Sequence, residues 1–340
     1  MLQHRSILER DLHHADNAIA FARQAVALER RNPALLNTLG LALEFAAREM
    51  KDIDRRQLLL KEAGKIFDDG IARSPSDAYS YIGKFNLIRY HALELEPDGD
   101  ERARLNADAL SLLEEAFEAT GESEIIAGAL ADQRKQLGDS QYAIKTLTAA
   151  LDVKPDNSRL RDLLITYLSN AAQDKEALKI ALAGIKFDPN SWRLQRHVAR
   201  LMRSNKYSAG PIRAAYQAAL RHKKGDVGLL VEVAGFLFTN GFVADAKDVF
   251  EEAGRLKTLS DRRQIRGWWC DEWKKRKIFT GKVKRIRGGT GYAEAVPENF
   301  EAFFWRTETW IAELREGDPI QFQVGFNALG PVAKILLQNK

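Results

Sequence analysis

Cysteine and long apolar runs are scarce in this chain of 340 residues. Cys270 is the only cysteine, which excludes an internal disulfide and any zinc site built from several cysteines. The N-terminal sequence MLQHRSILERDLHH carries charges where a signal peptide needs an apolar core. No uninterrupted apolar run approaches the roughly 18 residues that a membrane span requires. We therefore expect a cytoplasmic protein that does not enter a membrane.

Motifs of known catalytic chemistry are also missing. The six histidines form no H-E-x-x-H spacing, Cys270 adjoins no histidine, and no G-x-x-x-x-G-K-[ST] phosphate loop occurs. The glycines at 288, 289 and 291 are explained by a turn between two strands. We therefore expect a protein that is not an enzyme and holds no cofactor and no metal. An enzyme would need a site built by the fold from scattered carboxylates.

Charge is present in quantity but is unevenly placed. The net charge is +5, yet residues 1–260 carry 37 basic and 37 acidic side chains. Residues 262–287 carry eleven Lys or Arg against Asp271 and Glu272. A basic block of this kind attracts a phosphate backbone, or it is a solvated linker that keeps two domains soluble.

A period of 34 residues organises the first 260 residues. Lys154-Pro155-Asp156-Asn157 recurs as Asp188-Pro189-Asn190, and small residues recur at the same interval. The pattern small–x₃–large–x₂–small–x₄–Pro is met by Ala143, Leu147, Ala150 and Pro155. In this pattern the chain resembles the tetratricopeptide repeat family. The resemblance implies a mainly α fold, with a helical solenoid of six or seven helix pairs over 1–257.

The start of the chain is expected to lie inside a repeat. HADNAIAFARQAVALERRNP has the pattern of a second helix, and a repeat array normally begins with a polar cap. We therefore expect further domains, or a partner subunit in an oligomer, to extend the N-terminal repeat edge.

A stripe of arginines points to a partner groove in the repeats. Spacings of three and four residues place the members on one face of a helix that begins near Trp192. In the tetratricopeptide arrangement this face lines the concave groove, where guanidinium groups suit an acidic peptide, a chain carboxylate or a phosphate backbone. The alternative is an ordinary solvated face. The predicted groove residues are Arg193, Arg196, His197, Arg200 and Arg203.

Residues 258–277 are predicted to form a basic connecting helix rich in tryptophan. Trp268, Trp269 and Trp273 would pack onto the repeats or onto the following domain, or would stack on bases.

Residues 278–340 predict a small antiparallel β-barrel of five strands, because short alternating runs are separated by Gly, Pro and Asn. This part resembles the cold-shock domain, an OB-type barrel. The opening G-x-V-K, the Gly-aromatic strand, the E-G-D turn and the closing G-P-x-A carry the resemblance. They lie at Gly281, Val283 and Lys284, at Gly291 and Tyr292, at Glu316 to Asp318, and at Gly330, Pro331 and Ala333.

The cold-shock resemblance implies a surface for single-stranded RNA or DNA. Aromatic rings on the second and third strands would provide platforms for bases, with basic groups beside them. Phe303, Trp305, Ala293 and Ala295 would then point into the core. The implied binding residues are Lys284, Arg285, Tyr292, Glu294, Phe304 and Arg306.

The sequence therefore predicts a non-enzymatic adaptor or sensor. The repeats would hold a protein partner and the barrel would hold single-stranded nucleic acid. The order of the parts is similar to the sensor end of large prokaryotic conflict-system proteins. The alternative is a structural assembly module, in which the groove and a degenerate barrel both contact protein.

Overall fold

A computed structural model describes residues 1–94, 99–121, 123–256, 264–270, 275–306 and 309–336. The chain divides into two compact units, Met1–Ile180 and Ala181–Lys340. This division differs from the predicted boundary near residue 257, because the last helices group with the strands. Within the described residues, no helix is both long and apolar enough to cross a bilayer.

Helices make up the first unit and the first part of the second. Those of the first unit are α1 (Leu2–Asp11), α2 (Ala15–Leu28), α3 (Pro33–Glu49), α4 (Ile53–Arg73), α5 (Ala78–Leu93), α6 (Asp100–Ala119), α7 (Glu124–Gln136), α8 (Ser140–Val153) and α9 (Ser158–Asn170). Helix α10 (Asp174–Phe187) spans the division. The second unit continues with α11 (Trp192–Ser204), α12 (Ala209–His222), α13 (Val227–Thr239) and α14 (Val243–Arg255).

The helix boundaries confirm the predicted repeat. Helices α8, α10, α12 and α14 begin at residues 140, 174, 209 and 243, a spacing of 34 or 35. The helices before them share a cap, because Asn157, Ser191 and Asp226 each accept a hydrogen bond from the backbone N–H three residues on. The signature residues Ala143, Leu147 and Ala150 are fully buried on α8. The period therefore records a repeated pair of helices.

Small residues determine how closely the helices of the first unit approach one another. The ring of Phe67 on α4 lies against Gly40 of α3 and Gly83 of α5. A Cβ at Gly40 would stand 2.5 Å from this ring, which is closer than any real contact. A larger residue at either position would force the helices apart.

Helix α1 precedes the predicted second helix, so the expectation that the given sequence starts at a second helix is wrong. Helix α2 is the predicted second helix, and α1 packs against it. The hydroxyl of Ser6 is buried and donates to the carbonyl of Ala18 at 2.8 Å. The short, largely polar α1 gave little apolar periodicity from which to predict it.

A six-stranded sheet and one short helix complete the second unit. The strand order is β1-β5-β2-β3-β4-β6, and β5 also pairs with β6. The β4–β6 pair is parallel and the others are antiparallel. The elements are β1 (Gly267–Trp268), β2 (Ile278–Arg287), β3 (Thr290–Ala295), β4 (Glu301–Trp305), α15 (Thr309–Ala312), β5 (Pro319–Asn327) and β6 (Gly330–Leu336).

The predicted connecting helix over 258–277 is wrong where the structure describes it. Gly267 and Trp268 form β1, which pairs with Phe326 and Gly325 of β5. Extended pairing with a neighbouring strand satisfies the backbone groups that a helix would have satisfied internally. Residues 258–263 and 271–274, including Trp273, lie outside the described residues.

An aromatic cluster joins the last repeat to the sheet within the second unit. Phe238 of α13 meets Trp269 and Phe326 edge-on, with ring centroids 6.0 Å apart in both pairs. Phe250 of α14 stacks on Phe326 at 6.3 Å, and Trp269 stacks on Phe300 at 5.2 Å. The prediction that the tryptophans pack onto the repeats or the strands is therefore confirmed for Trp269. This packing explains why α13 is apolar almost all round.

Candidate binding surfaces of the second unit

An arginine groove of about 700 Å³ opens between α11, α13 and the segment 264–270. Arg196, Arg200 and Arg203 line it from α11, and Arg266 lines it from the opposite side. Glu232 is the only carboxylate among the described residues of its lining. Four guanidinium groups facing a single carboxylate give the groove a positive potential.

Glu232 organises the floor of this groove. It is the only charged residue of α13, and its side chain is 15% exposed. Its carboxylate accepts hydrogen bonds from Arg196 Nε at 2.8 Å, from Arg200 Nε at 2.6 Å and from the hydroxyl of Tyr216 at 3.0 Å. Burial opposes ionisation of Glu232, but the hydrogen bonds and charges of Arg200 and Arg196 outweigh it and lower the carboxyl pKa. The pair of arginines is thereby held in place.

Three of the five predicted groove residues line the groove. Arg196, Arg200 and Arg203 do so, whereas Arg193 and His197 are not among the lining residues. Arg193 is exposed and lies over the ring of Trp192, 5.1 Å from its centroid. Burial, together with the charges of Arg200 and Arg196, lowers the pKa of His197 to about 4. His197 is therefore neutral at pH 7 and adds no charge to the groove.

The second wall of the groove comes from the segment that leads into and out of β1. Trp268 lines the groove, and the guanidinium of Arg276 lies over its ring at 4.0 Å. A stacked arginine and indole form a flat, cationic surface. The groove therefore combines apolar and cationic walls. Its lining residues on this side are Gln264, Ile265, Arg266, Gly267, Trp268, Trp269 and Cys270.

The outer face of the sheet corrects the predicted orientation of β4. Phe304 is 1% exposed, while Phe303 and Trp305 lie half-buried on the outer face. Phe304 pairs across β3 with Gly291, where any Cβ would overlap its ring. An inward-facing glycine thus provides the space that the buried ring fills. Phe304 was predicted to bind nucleic acid on the outer face, but its side chain points into the core. Phe303 and Trp305 were predicted to point into the core, but they lie on the outer face.

A row of aromatic rings runs across the outer face of β3 and β4. The rings of Tyr292 and Phe303 are 5.6 Å apart, and those of Phe303 and Trp305 are 4.8 Å apart. Tyr292 faces outward as predicted, while Ala293 and Ala295 are fully buried. Its ring is covered by the Arg285 guanidinium at 4.0 Å.

Cations and carboxylates pair beside this aromatic row. A β-bulge between Val283 and Arg285 makes both Lys284 and Arg285 face outward. Lys284 bonds Glu294 and Glu301, both at 2.9 Å. These hydrogen bonds lower the pKa of Glu294 and raise that of Lys284. Glu294 also lies 3.5 Å from Lys282, so two lysines pair with this carboxylate.

Arg306 has a structural set of contacts. Its guanidinium donates to the carbonyls of Gly288 at 3.3 Å and Ile311 at 3.4 Å, and to those of Ala312 and Leu314. These bonds tie the end of β4 to the β2–β3 turn and to α15. A guanidinium committed to four carbonyls is poorly placed to bind a phosphate chain.

Sequence reasoning missed Glu232, Arg266 and Trp268 as members of the groove. One signal for Glu232 was present, since it is the single charge in an otherwise apolar helix. A lone buried charge requires a partner, and the arginines 32 and 36 residues earlier provide it. No local pattern could place Arg266 and Trp268, because β1 reaches the groove only through its pairing with β5.

Comparison with known proteins gives structural neighbours only. No family model matches the chain, and no curated protein matches its sequence. A tetratricopeptide repeat protein of Thermus thermophilus is 17% identical over 59% of this chain and 97% of its own, with a TM-score of 0.40. A tetratricopeptide repeat protein from Parabacteroides merdae is 17% identical over 76% of this chain and 93% of its own, with a TM-score of 0.42.

Pseudomonas aeruginosa PilF is 12% identical over 66% of this chain and 91% of its own, with a TM-score of 0.44. At these identities and TM-scores, the neighbours identify neither a binding site nor a partner. Within the described residues, no group of three or more His, Cys, Asp or Glu side chains is placed to hold a metal ion.

Proposed function

We propose that this protein is a binding scaffold and that the arginine groove takes an acidic segment of a partner protein. The observation that carries the proposal is the charge of the lining: four arginines face one carboxylate. Glu232 binds Arg196 and Arg200, and neither Arg203 nor Arg266 forms an ion pair with a described carboxylate. Carboxylates of the partner would accept charge-assisted hydrogen bonds from Arg203 and Arg266.

The dimensions and mixed lining of the groove favour a peptide over a single small anion. About 700 Å³ is far more than a carboxylate or phosphate occupies, and Phe236, Ile265 and Trp268 supply apolar contacts beside the arginines. Aromatic and arginine side chains are also the residues that most often dominate binding energy at protein interfaces. An acidic segment with interspersed apolar residues matches both features.

A titration tests this function directly. Trp268 lines the groove, so its fluorescence reports occupancy when an acidic peptide is added. We expect saturable binding of a peptide with alternating Glu and Val, weakening as salt rises. A peptide with Lys in place of Glu is the control. Equal responses to both peptides, or none to either, would contradict the proposal.

A second candidate function is the binding of single-stranded RNA or DNA on the outer face of β2, β3 and β4. The row of Tyr292, Phe303 and Trp305 favours it, because adjacent half-buried rings on an outer face can stack on bases. The strand pairings support an OB-type barrel. From β5 they run through β2, β3, β4 and β6 and return to β5.

The charge on this face makes the expected binding weak. Lys284 is already shared by Glu294 and Glu301, and Arg285 approaches Glu301 at 3.4 Å. A phosphate chain would have to displace these carboxylates. Anisotropy titrations with single-stranded RNA, single-stranded DNA and duplex at several salt concentrations test this function. A preference for single strands would support nucleic-acid binding. Absence of binding at any salt concentration would contradict it and would favour a role of this face in protein assembly. It would also remove the reason to propose a role in a prokaryotic conflict system.

A further inference from the structure

The strand β1 lines the arginine groove, and one of its edges has no strand partner among the described residues. It stands at the end of the strand order, and within the described residues it pairs with β5 alone. A strand paired on one side leaves N–H and C=O groups free on the other. At its C-terminal end this edge closes, because Lys277 N–H bonds the carbonyl of Trp269 and Cys270 bridges Arg276. Among the described residues, the edge without a strand partner therefore spans residues 265–268, where the Arg266 N–H points to β5 and bonds the carbonyl of Phe326.

Residues 264–270 are accessible from the groove, and no neighbouring atom crowds Gly267. The segment 264–270 lines the groove along its whole length. A Cβ at Gly267 would meet nothing within 4 Å. Glycine in an edge strand leaves space for a second chain to approach closely.

The arginines of the groove favour a partner segment with acidic side chains. Arg203 and Arg266 line the same groove as this edge. Neither forms an ion pair with a described carboxylate, although Arg203 hydrogen-bonds the hydroxyl of Tyr216 and lies over the ring of Phe236. In an extended strand, alternate side chains point to one side and recur about every 7 Å. Carboxylates at every second position would therefore reach the arginine side together, while the intervening side chains face away.

We propose that the acidic partner segment binds in extended form as an added strand along residues 265–268, which include β1, with its carboxylates directed to Arg203 and Arg266. This inference rests on the proposed function of the groove and specifies its mode. Main-chain hydrogen bonds along β1 would supply affinity, and the arginines would supply selectivity for acidic side chains.

Peptides methylated on backbone nitrogen test the mode. Three eight-residue peptides with alternating Glu and Val are compared: unmodified, N-methylated on every Val, and N-methylated on every Glu. The amides of alternate residues point to opposite edges of a strand. We expect one methylated peptide to bind at least about tenfold more weakly than the other, a difference of ~1.4 kcal/mol.

The outcomes separate the two levels of the proposal. Equal affinities of the two methylated peptides, whether unchanged or equally reduced, would overturn strand addition while leaving the groove an acidic-peptide site. Failure of the unmodified peptide to bind would overturn the proposed function itself. Hydrogen exchange gives an independent reading. Amides on the free edge of 265–268 should exchange at least about tenfold more slowly in the complex, and unchanged exchange there would also overturn strand addition.

Discussion

Arg200 of α11 donates two hydrogen bonds to the carboxylate of Glu232 on α13, from Nε at 2.6 Å and from Nη2 at 2.7 Å. Arg196 adds a third bond from one turn earlier on α11. The two arginines therefore serve a fold-stabilising role as well as lining the groove. Arg203 and Arg266 are the groove arginines that do not bond Glu232, although Arg203 contacts Tyr216 and Phe236.

Replacing Arg196 by alanine should lower the free energy of unfolding by about 1–3 kcal/mol, because a largely buried carboxylate loses a charged hydrogen-bond partner. Urea denaturation measures the change. Arg193→Ala is the matched control on the same helix, and its exposed side chain should cost less than about 0.5 kcal/mol. Equal decreases in the free energy of unfolding for the two variants would show that the hydrogen bonds to Glu232 do not stabilise the fold.

The stability should fall as the pH is lowered from about 6.5 toward 4 because of His197. The ordinary pKa of a histidine is 6.5, and that of His197 falls to about 4 in the folded protein, chiefly through burial and then through Arg200 and Arg196. Between pH 6.5 and pH 4 the unfolded chain binds more protons at this histidine than the folded protein does. The contribution of His197 to the free energy of unfolding is therefore fully present above pH 6.5 and is lost as the pH falls toward 4. The lowered pKa of Glu232 adds a further loss below its ordinary value of 4.5.

Urea midpoints at pH values between 7.5 and 4.5 measure this dependence. His197→Gln removes the titrating group and should flatten the profile over that window. Glu232→Gln should leave the upper part of the profile in place, since the carboxyl titrates below it. A His197→Gln profile as steep as the original would refute the assignment.

Phe304→Ala should destabilise the protein by about 3–5 kcal/mol, the usual cost of emptying a buried phenylalanine site. Phe303→Ala should cost clearly less, because that ring lies half-buried on the outer face. Thermal or urea unfolding ranks the pair. The opposite ranking would restore the orientation expected from the sequence.

Gly281→Ala should disrupt the pairing of β2 with β3. A Cβ at this position would overlap the backbone carbonyl oxygen of Glu294, which cannot move without breaking the ladder. Gly289→Ala is a suitable control, because a Cβ there meets nothing within 4 Å. We expect a lower melting temperature for the first variant alone. Equal melting temperatures of the two variants would contradict the close approach of β2 to β3 at Gly281.

Many residues made the repeat predictable, whereas a single polar residue, Glu301, marked the orientation of β4. Repetition of prolines and small residues at 34 residues reflects a packing requirement that is local to each helix pair. In β4, by contrast, Phe303, Phe304 and Trp305 are all large and apolar, so no alternation of polarity marks the inner face. Glu301 carried the available signal: an outward glutamate at the strand start places Phe303 outside.

The groove was half predictable for a related reason. Arg196, Arg200 and Arg203 share a helix, so their spacing placed them together. Trp268 lies in β1 and Arg266 lies just before it, and the position of both depends on pairing with Phe326, far away in sequence. The basic composition of 262–287 favoured a solvated helix, and sheet pairing overrode that preference. Tertiary contacts of this kind leave no local pattern.

The affinity for an acidic peptide after charge reversal in the groove tests the central claim most directly. Arg203→Glu combined with Arg266→Glu keeps both arginines that bond Glu232, removes the Arg203 contact with Tyr216, and places two carboxylates where the partner's carboxylates would bind. Arg193→Glu, on the same helix but outside the groove lining, is the control. We predict that the double variant binds the Glu–Val peptide more than about tenfold more weakly, while the control binds it nearly as before. Equal affinities of the original protein and the double variant would contradict the assignment of the groove.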